Sequence, residues 1–356
     1  MPRGGERVAR ARTTAASRLH ALRPVAARAR SWDVLIVGAG PAGLSAALVL
    51  ARCCRSVLVC DAGQPRSWAA EAMHGFLSRD GIHPEEFRRL ARADLARYPN
   101  VELREARVLG ATRNRDGSFR VRLPGRRSER ARKLLIATGL VDVLPPIAGC
   151  AELYGTGVYH CPYCDAWEHR GRPIAAYGRR QRGFEMARAL TAWSRDVTLL
   201  CDGPAGLTGE QRRALARNGV RCVETRVARL VARDGRLAAA ELADGERIAI
   251  EALFFDLPSR PQSTLAERIG CRLTRQGGIR RGQYEASDVP GVFVAGNILR
   301  DVQLSIVAAA EGARAAFGIH RSLTREEFGL RETGTRRVEH PRVAEEPAGA
   351  PASRAS

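Results

Sequence analysis

The segment spanning residues 33–61 constrains the fold more than any other part of the chain. It begins with the apolar run DVLIV and the glycine-rich turn GAGPAG, continues with a stretch of helical composition, and ends in a second apolar run, SVLVC, followed by Asp61. Short continuous apolar runs are typical of strands that are buried on both faces of a parallel sheet. The segment therefore predicts a strand–turn–helix–strand unit of the dinucleotide-binding kind.

Each glycine of this turn has a physical role. Gly38 allows the tight turn, Gly40 lets the backbone approach a pyrophosphate, and Gly43 lets the helix pack closely against the strand. The phosphates would then meet the positive end of the helix dipole. Asp61, at the end of the second strand, can accept hydrogen bonds from a ribose. A glycine turn that serves packing alone is the alternative.

A second unit of the same kind follows later in the chain. Its strands are predicted at 173–177 and 196–200, with a turn from Gly178 and a helix over 183–193. Other predicted elements are a meander over 101–123 with its turn at 114–117, strands at 133–137 and 291–295, and a helix over 303–322. This alternation of strands and helices predicts an α/β protein with two doubly wound domains.

Composition narrows the function classes. The chain has 356 residues, of which 45% are hydrophobic and 27% charged, as in globular proteins with two to three domains. No run of 18 apolar residues is present, which excludes a membrane span. The formal charge of +20 comes from arginines spread along the chain, so a specific nucleic-acid surface is not expected.

Residues 1–30 and 326–356 are predicted to be disordered tails without a secretory signal. The location of the protein is expected to be cytoplasmic.

Cys161 and Cys164 form a C-x-x-C pair, which sets them apart among the nine cysteines. At a helix start, two such sulfurs lie close enough for a disulfide, and the helix dipole favours a thiolate. His160 and His169 flank the pair, so a zinc site is conceivable, but no second cysteine pair follows and no metal site is expected. A redox-active pair is favoured over zinc and over an inert pair. The other seven cysteines, including Cys53, Cys54, Cys60 and Cys222, are predicted to be small buried hydrophobic residues.

Four segments taken together resemble one family. VGAGPAG at 37–43, LLIATG at 134–139, HCPYCD at 160–165 and VPGVFVAGN with AAAEGARAA over 289–316 are similar to flavoprotein disulfide oxidoreductases of the bacterial thioredoxin reductase type, including their small-molecule dithiol oxidase branch. The resemblance implies two Rossmann-like domains of three-layer ββα architecture, one inserted in the other. FAD would occupy a domain made of 31–150 and 255–325. Residues 151–254 would form the inserted NAD(P)-type domain that carries the redox cysteines.

The resemblance also implies roles for individual residues. Cys164 would face the flavin, Cys161 would exchange with an external dithiol or disulfide, and Asp165 would move the proton, with His160 as the second choice. The partner would be a thioredoxin-like protein or a small molecule, and the protein would be a homodimer. His74 belongs to a loop that lies over the flavin in this family, but it is not included among the catalytic residues. FAD contacts are expected at Gly38, Gly40, Pro41, Ala42, Gly43, Asp61, Gly139, Gly296, Asn297 and Gln303.

Two departures from the family pattern bear on function. Asn297 stands where the family usually has an aspartate, although it can still hydrogen-bond a ribityl hydroxyl. In the second glycine loop Arg180 takes the place of the middle glycine, and Asp202 stands where a 2′-phosphate needs a cation, so NADPH use is in doubt. Three hypotheses therefore remain open: an NADPH-dependent reductase, an oxygen-dependent dithiol oxidase, and a flavin-bound redox sensor without turnover.

Overall fold

The computed structural model describes residues 31–330, so the predictions for residues 1–30 and 331–356 lie outside the described chain. The strands, in chain order, are β1 (Ser31–Val37), β2 (Val57–Asp61), β3 (Val101–Glu105), β4 (Gly110–Arg113), β5 (Phe119–Arg122), β6 (Ser128–Ile136), β7 (Leu140–Val141), β8 (Val158–Tyr159), β9 (Ile174–Tyr177), β10 (Val197–Leu200), β11 (Arg221–Val223), β12 (Val227–Arg233), β13 (Arg236–Leu242), β14 (Arg247–Ala249), β15 (Ala252–Phe255), β16 (Arg260–Pro261) and β17 (Val292–Val294). The α-helices are α1 (Pro41–Arg52), α2 (Pro84–Leu95), α3 (Pro162–Asp165), α4 (Arg180–Leu190), α5 (Gly209–Arg217), α6 (Leu265–Arg268) and α7 (Ser305–Glu327).

Two sheets organise these elements into two doubly wound units, one inserted in the other. The first sheet has the order β3-β2-β1-β6-β5-β4, and β17 also pairs with β6. The second has the order β11-β10-β9-β15-β8. β6 is long enough to pair with two strands along one edge: antiparallel β5 pairs with its first half, and parallel β17 pairs with its second half. Because β17 and α7 return to the first sheet after the second sheet is complete, the first unit is discontinuous in sequence.

Both faces of β1 are buried, which explains its unbroken apolar sequence. Val34 and Ile36 point to a core shared with α1 and α7, whereas Leu35 and Val37 point to a core shared with β4 and β5. This alternation follows from the two-residue period of a strand. Parallel sheet, antiparallel strands and helices together make the expected three-layer ββα architecture.

The inserted unit repeats this arrangement. One face of its parallel sheet packs on α4 and α5, with Ala176 and Leu190 in the shared core. The other face packs on the antiparallel sheet β12-β13-β14, with Ala175 and Leu237 in the shared core. The Rossmann-like character predicted from the second strand–turn–helix–strand pattern is confirmed.

The meander predicted over 101–123 is wrong in part. β3 pairs in parallel with β2 at the edge of the first sheet, and only β4 and β5 form a hairpin. The hairpin turn lies where it was predicted, with Gly117 at φ +85°. β3 pairs with β2 because the outer edge of β2 can accept another strand. The sequence of β3 alone does not show this.

Three boundaries also differ from the prediction. α4 begins at Arg180 rather than at residue 183. Phe255 pairs with Tyr177 and so belongs to the inserted sheet, one residue beyond the expected limit. α7 runs two residues into the predicted C-terminal tail because Glu327 accepts hydrogen bonds from Arg55 and Arg132.

The crossing of α1 and α7 is unusually close at Gly312. A Cβ added there would lie 2.0 Å from the backbone oxygen of Ala42. Because Ala42 belongs to the first turn of α1, this contact fixes α7 against the helix end that faces the nucleotide cleft.

The variant Gly312→Ala therefore tests the close helix crossing, because its melting temperature should rise or fall according to which of two opposing effects is larger. Helix propensity alone would stabilise the protein by about 1 kcal/mol. We expect the steric clash to outweigh this gain, so that the melting temperature falls. The reverse change at an exposed site of the same helix, Ala310→Gly, should cost about 1 kcal/mol from propensity. A rise in melting temperature for Gly312→Ala would contradict the close crossing.

Candidate active site

The turn between β1 and α1 has the geometry expected of a dinucleotide site. Gly38 adopts φ +107°, and a Cβ on it would lie 2.4 Å from the Ala137 oxygen. A Cβ on Gly43 would lie 1.9 Å from the Gly38 oxygen, whereas one on Gly40 would meet no atom within 4 Å. Gly38 and Gly43 thus permit close packing, and Gly40 leaves open space at the N-terminus of α1 for a ligand.

A single cleft brings together the residues expected to bind FAD. All of them line it except Gly43, which is buried against Gly38. The hydroxyl oxygen of Thr138 and Nε of Arg88 also belong to lining residues, and both atoms are buried without a hydrogen-bond partner. Unpartnered buried polar atoms are costly, so they favour a polar ligand in the cleft. These residues fit FAD.

Asp61 lines the cleft, but its carboxylate already has a protein partner. Arg92 donates to its Oδ2 at 2.7 Å, and the backbone N–H of Gly63 donates to its Oδ1 at 3.3 Å. Arg92 therefore holds the Asp61 carboxylate in one orientation in the cleft. Sequence reasoning missed Arg92 because it lies on α2, outside the strand–turn–helix–strand pattern.

Gly296 and Asn297 reach the cleft from the turn after β17. Gly296 has φ +80°, and its backbone N–H donates to Oε2 of Glu311 at 2.9 Å. Glu311 is buried on α7 and also accepts from Arg281 at 2.7 Å. Glu311 thus holds the glycine turn in position. It lies in the quoted AAAEGARAA segment, but only the fold shows what its carboxylate contacts.

Cys161 and Cys164 form a disulfide at the start of α3. Cys161 is the N-cap residue, and Pro162 occupies the first position of the helix, where its missing N–H costs nothing. Cys164 and Asp165 line the FAD cleft, whereas Cys161 stands outside its lining. This arrangement supports the assignment of Cys164 to the flavin side and of Cys161 to the substrate side.

Asp165 lies in the cleft beside Cys164. Burial raises the pKa of Asp165 to about 7, and the nearby carboxylate of Glu168 adds to the effect. A carboxyl group with this pKa takes and gives a proton near neutral pH, which is the property required of a general acid or base.

A chain of hydrogen bonds surrounds His160, the residue before Cys161. Arg66 donates to both oxygens of Asp142, at 2.7 and 2.5 Å, and also to Oε1 of Gln303 at 2.5 Å. The hydroxyl of Tyr154 lies 3.1 Å from Oδ2 of Asp142 and 3.0 Å from Nδ1 of His160. Although burial alone would raise the pKa of Asp142, the hydrogen bonds from Arg66 lower it. Asp142 is therefore ionised and can only accept.

This network assigns the tautomer of His160. Because the Tyr154 hydroxyl has one hydrogen and donates it to Asp142, its oxygen must accept from Nδ1–H of His160. Burial lowers the pKa of His160 to about 4, and the charge of Arg66 adds to the shift. The ring is therefore neutral at pH 7, with an unprotonated Nε2. Tyr154, Asp142 and Arg66 were missed in the sequence because no local motif connects them to His160.

Three smaller expectations concern His74, metal binding and the isolated cysteines. His74 lines the cleft, and its two ring nitrogens lie 3.6 Å from carboxylate oxygens of Asp80 and Glu168. Within residues 31–330 no group of His, Cys, Asp and Glu is arranged to hold a metal ion. Cys60 is buried as predicted. Cys53 and Cys222 are only partly buried, and Cys54 is exposed, because it follows the end of α1 at φ +58°.

Two arginine side chains lie close to the second glycine loop. A Cβ on Gly183 would lie 2.5 Å from the Gly178 oxygen, so the close helix–strand approach is kept. Arg180 adopts φ +53°, and its Cγ lies 3.0 Å from where a Cβ on Gly206 would be. Arg179 donates from Nε to the Cys201 oxygen at 2.7 Å, and its guanidinium covers Gly203. The loop keeps the turn of a nucleotide site, but two exposed arginine side chains stand beside it.

Asp202, next to this loop, is committed to structural contacts. Its Oδ2 accepts from the Tyr177 hydroxyl at 3.0 Å, and its Oδ1 accepts from the backbone N–H of Val227 at 3.0 Å. Arg179 approaches Oδ2 to 3.9 Å. A carboxylate held in this way after β10 repels a 2′-phosphate.

Two nucleotide-type domains with a disulfide at the edge of an FAD cleft define a flavin-dependent disulfide oxidoreductase. The chain belongs to the pyridine nucleotide-disulphide oxidoreductase family, whose model matches residues 32–312. It is 34% identical over 275 residues to thioredoxin reductase tcpT of Claviceps purpurea, an alignment that covers 74% of this chain and 86% of that protein.

Solved structures agree with this assignment. The crystal structure of HlmI is 36% identical, with a TM-score of 0.80, and the match covers 84% of this chain and 94% of that one. The putative thioredoxin reductase TrxB from Bacillus anthracis is 28% identical, with a TM-score of 0.79 and coverage of 83% and 100%. Among residues 31–330, no helix combines the length and apolar character needed to cross a membrane.

The two glycines of the first turn make a matched pair of tests. Gly43→Ala should lower the free energy of unfolding by about 2 kcal/mol or more, because the added methyl group meets backbone. Gly40→Ala should cost the apoprotein at most about 1 kcal/mol, the penalty for alanine in place of glycine at an N-cap, yet weaken FAD binding. Thermal melts and flavin-to-protein ratios measure both effects. Equal losses of stability in the two variants would refute the distinction.

Proposed function

We propose that this protein oxidises a small-molecule dithiol to a disulfide, with FAD as the internal electron acceptor and molecular oxygen as the final one. The observation that carries the proposal is the second glycine loop, in which Arg180 replaces the middle glycine and Arg179 lies over Gly203, so that two side chains stand where the glycine pattern would leave room for a pyrophosphate. A disulfide oxidoreductase without access to NADPH needs its electrons from a thiol. The exposed rings of Tyr163 and Trp167 beside the disulfide offer an apolar surface to a small substrate.

Thiol–disulfide exchange at the cysteine pair would run in two steps. One substrate thiolate attacks Sγ of Cys161, which forms a mixed disulfide and releases Cys164 as a thiolate. The second substrate thiolate then attacks the substrate sulfur of the mixed disulfide, which closes the product and releases Cys161. The substrate loses two electrons and two protons, and the pair is left as a dithiol.

When bound, FAD supplies the acceptor for the two electrons of that dithiol and passes them to oxygen, which becomes hydrogen peroxide. This chain's residues handle the protons. Asp165 would accept one at its carboxylate beside Cys164. The unprotonated Nε2 of His160 would provide a second basic site in the same cleft, held in orientation by the Tyr154 hydroxyl.

The alternative is the reverse direction, in which NADPH reduces the flavin and the cysteine pair reduces a thioredoxin-like protein. The names of tcpT and TrxB, both called thioredoxin reductases, favour it. Exposed Arg182 in the loop adds a cation that could hold a phosphate. The same cysteines would serve both directions.

We further propose the domain limits 31–150, 151–255 and 256–325. They differ from the limits 151–254 and 255–325 expected from the sequence only in assigning Phe255 to the inserted domain. A homodimer in the cytoplasm is part of the same proposal. The seven free cysteines among the described residues support a reducing compartment.

An anaerobic titration of the purified holoenzyme separates the two directions. We expect dithiothreitol to bleach the flavin absorbance, NADPH and NADH to leave it unchanged, and air to restore it. Cys164→Ser should retain FAD but resist bleaching by dithiothreitol, because the route through the pair is broken. Rapid bleaching by NADPH would establish the reductase instead, and no bleaching by any of the three would leave the redox sensor.

The pH dependence of bleaching by dithiothreitol tests Asp165. Its pKa near 7 means that the carboxyl is neutral below pH 7 and basic above it, so the rate should rise through about pH 7. This inflection lies below the pKa of an ordinary thiol, about 8.5. Asp165→Asn should remove it and lower the rate by about 10²-fold or more.

Glu168→Gln is the matched control. Because the Glu168 carboxylate raises the pKa of Asp165, its neutralisation should move the inflection to lower pH and leave the plateau rate unchanged. If Asp165→Asn kept the wild-type profile, the proton would move through another group, and His160 would be the first to test.

A further inference from the structure

The inserted domain contains a second pair of thiols outside the active site. Cys201 follows the last residue of β10, Cys222 lies in the middle of β11, and their Sγ atoms are 3.6 Å apart. Cys201 is buried in the core beside α4 and α5, whereas Cys222 is only partly buried. Cys222 is therefore the more accessible residue of the pair, and the Cys201 sulfur lies close to its sulfur on the core side.

The surroundings make the two thiols unequal. The hydrogen bond between them lowers the pKa of Cys222, and although burial opposes this, the guanidinium of Arg212 adds to it. The same hydrogen bond and burial raise the pKa of Cys201. Arg212 is held in place by Glu224 at 2.6 Å. The more accessible sulfur is thus the better thiolate, which is the nucleophilic form.

We propose that Cys222 and Cys201 form a second redox site, in which hydrogen peroxide oxidises Cys222 and Cys201 then closes a disulfide. The Cys222 thiolate attacks one peroxide oxygen, so that the S–O bond forms, the O–O bond breaks, and hydroxide leaves to become water. The Cys201 sulfur then attacks the sulfenic sulfur. The S–S bond forms, the S–O bond breaks, and the departing hydroxide takes the Cys201 proton. Two thiols and one peroxide give one disulfide and two waters.

The fold allows the movement that this step requires. A disulfide needs the sulfurs at about 2.05 Å, so they must approach from 3.6 Å. β11 is the edge strand of its sheet and pairs only with β10, so it can shift without breaking a second ladder. The bond would tie β11 to the end of β10 and enclose α5 in a covalent loop, which stabilises a fold by restricting the unfolded chain.

The site goes beyond the proposed function, although the two are linked. Hydrogen peroxide is the product that oxygen gives after it takes two electrons from the enzyme, so turnover would generate the oxidant. The thiol chemistry itself depends only on peroxide being present. An experiment with added peroxide therefore tests the second site whether or not the dithiol oxidase proposal holds.

Peroxide treatment of the reduced holoenzyme, followed by alkylation, tryptic digestion and mass spectrometry, tests the proposal. Cleavage after Arg212 and Arg221 puts Cys201 and Cys222 in separate peptides, away from the active-site pair. We expect a linked peptide that is two hydrogens lighter than the sum of its parts, with loss of iodoacetamide labelling at Cys222. A reductant should restore the labelling, and the melting temperature of the oxidised protein should rise.

Single substitutions define the roles of the two sulfurs. Cys201→Ser should leave Cys222 as a sulfenic acid that dimedone traps, and Cys222→Ser should leave Cys201 unmodified. Exposed Cys54 serves as the internal control for general thiol oxidation. The proposal is overturned if Cys54 loses labelling at lower peroxide than Cys222, or if Cys222 proceeds to sulfinic acid while Cys201 stays free.

Discussion

The contact between Gly43 and the backbone of Gly38 is the constraint on which the first domain depends. It brings α1 so close to β1 that any side chain at either position would meet backbone. This closeness points the N-terminus of α1 at the cleft, where open space at Gly40 admits a ligand. α7 then packs on α1 through Gly312 and carries Glu311, which holds the Gly296 turn on the opposite side of the cleft.

The disulfide connects this cleft to a surface that an outside thiol can reach. A four-residue helix with Cys161 as its N-cap turns Cys164 and Asp165 toward the FAD cleft. The pKa values of the two groups beside it are set mainly by burial rather than by pairing with an opposite charge. Burial keeps His160 neutral and keeps the Asp165 proton available near pH 7.

The sequence alone predicts those parts of the site that are formed by residues close together in the chain. The turn at 38–43 and the C-x-x-C pair each predict a local structure, and each lies where the prediction put it. Contacts between distant segments were not predictable. Arg66, Asp142, Tyr154 and His160 form one chain of hydrogen bonds only because the strands bring their loops together. The parallel pairing of β3 likewise depends on β2 rather than on its own residues. Exposed Cys54 shows the same limit, since its position just past α1 outweighs its apolar neighbours.

The discontinuous first domain has a consequence for biosynthesis. The cleft is lined by residues from Val37 to Ala308, so both ends of the described chain contribute to it. A nascent chain that has left the ribosome only through the inserted domain lacks β17, the Gly296 turn and α7. Cofactor capture therefore has to follow the synthesis of α7, and the inserted domain, whose strands are contiguous in sequence, can fold before the flavin site exists.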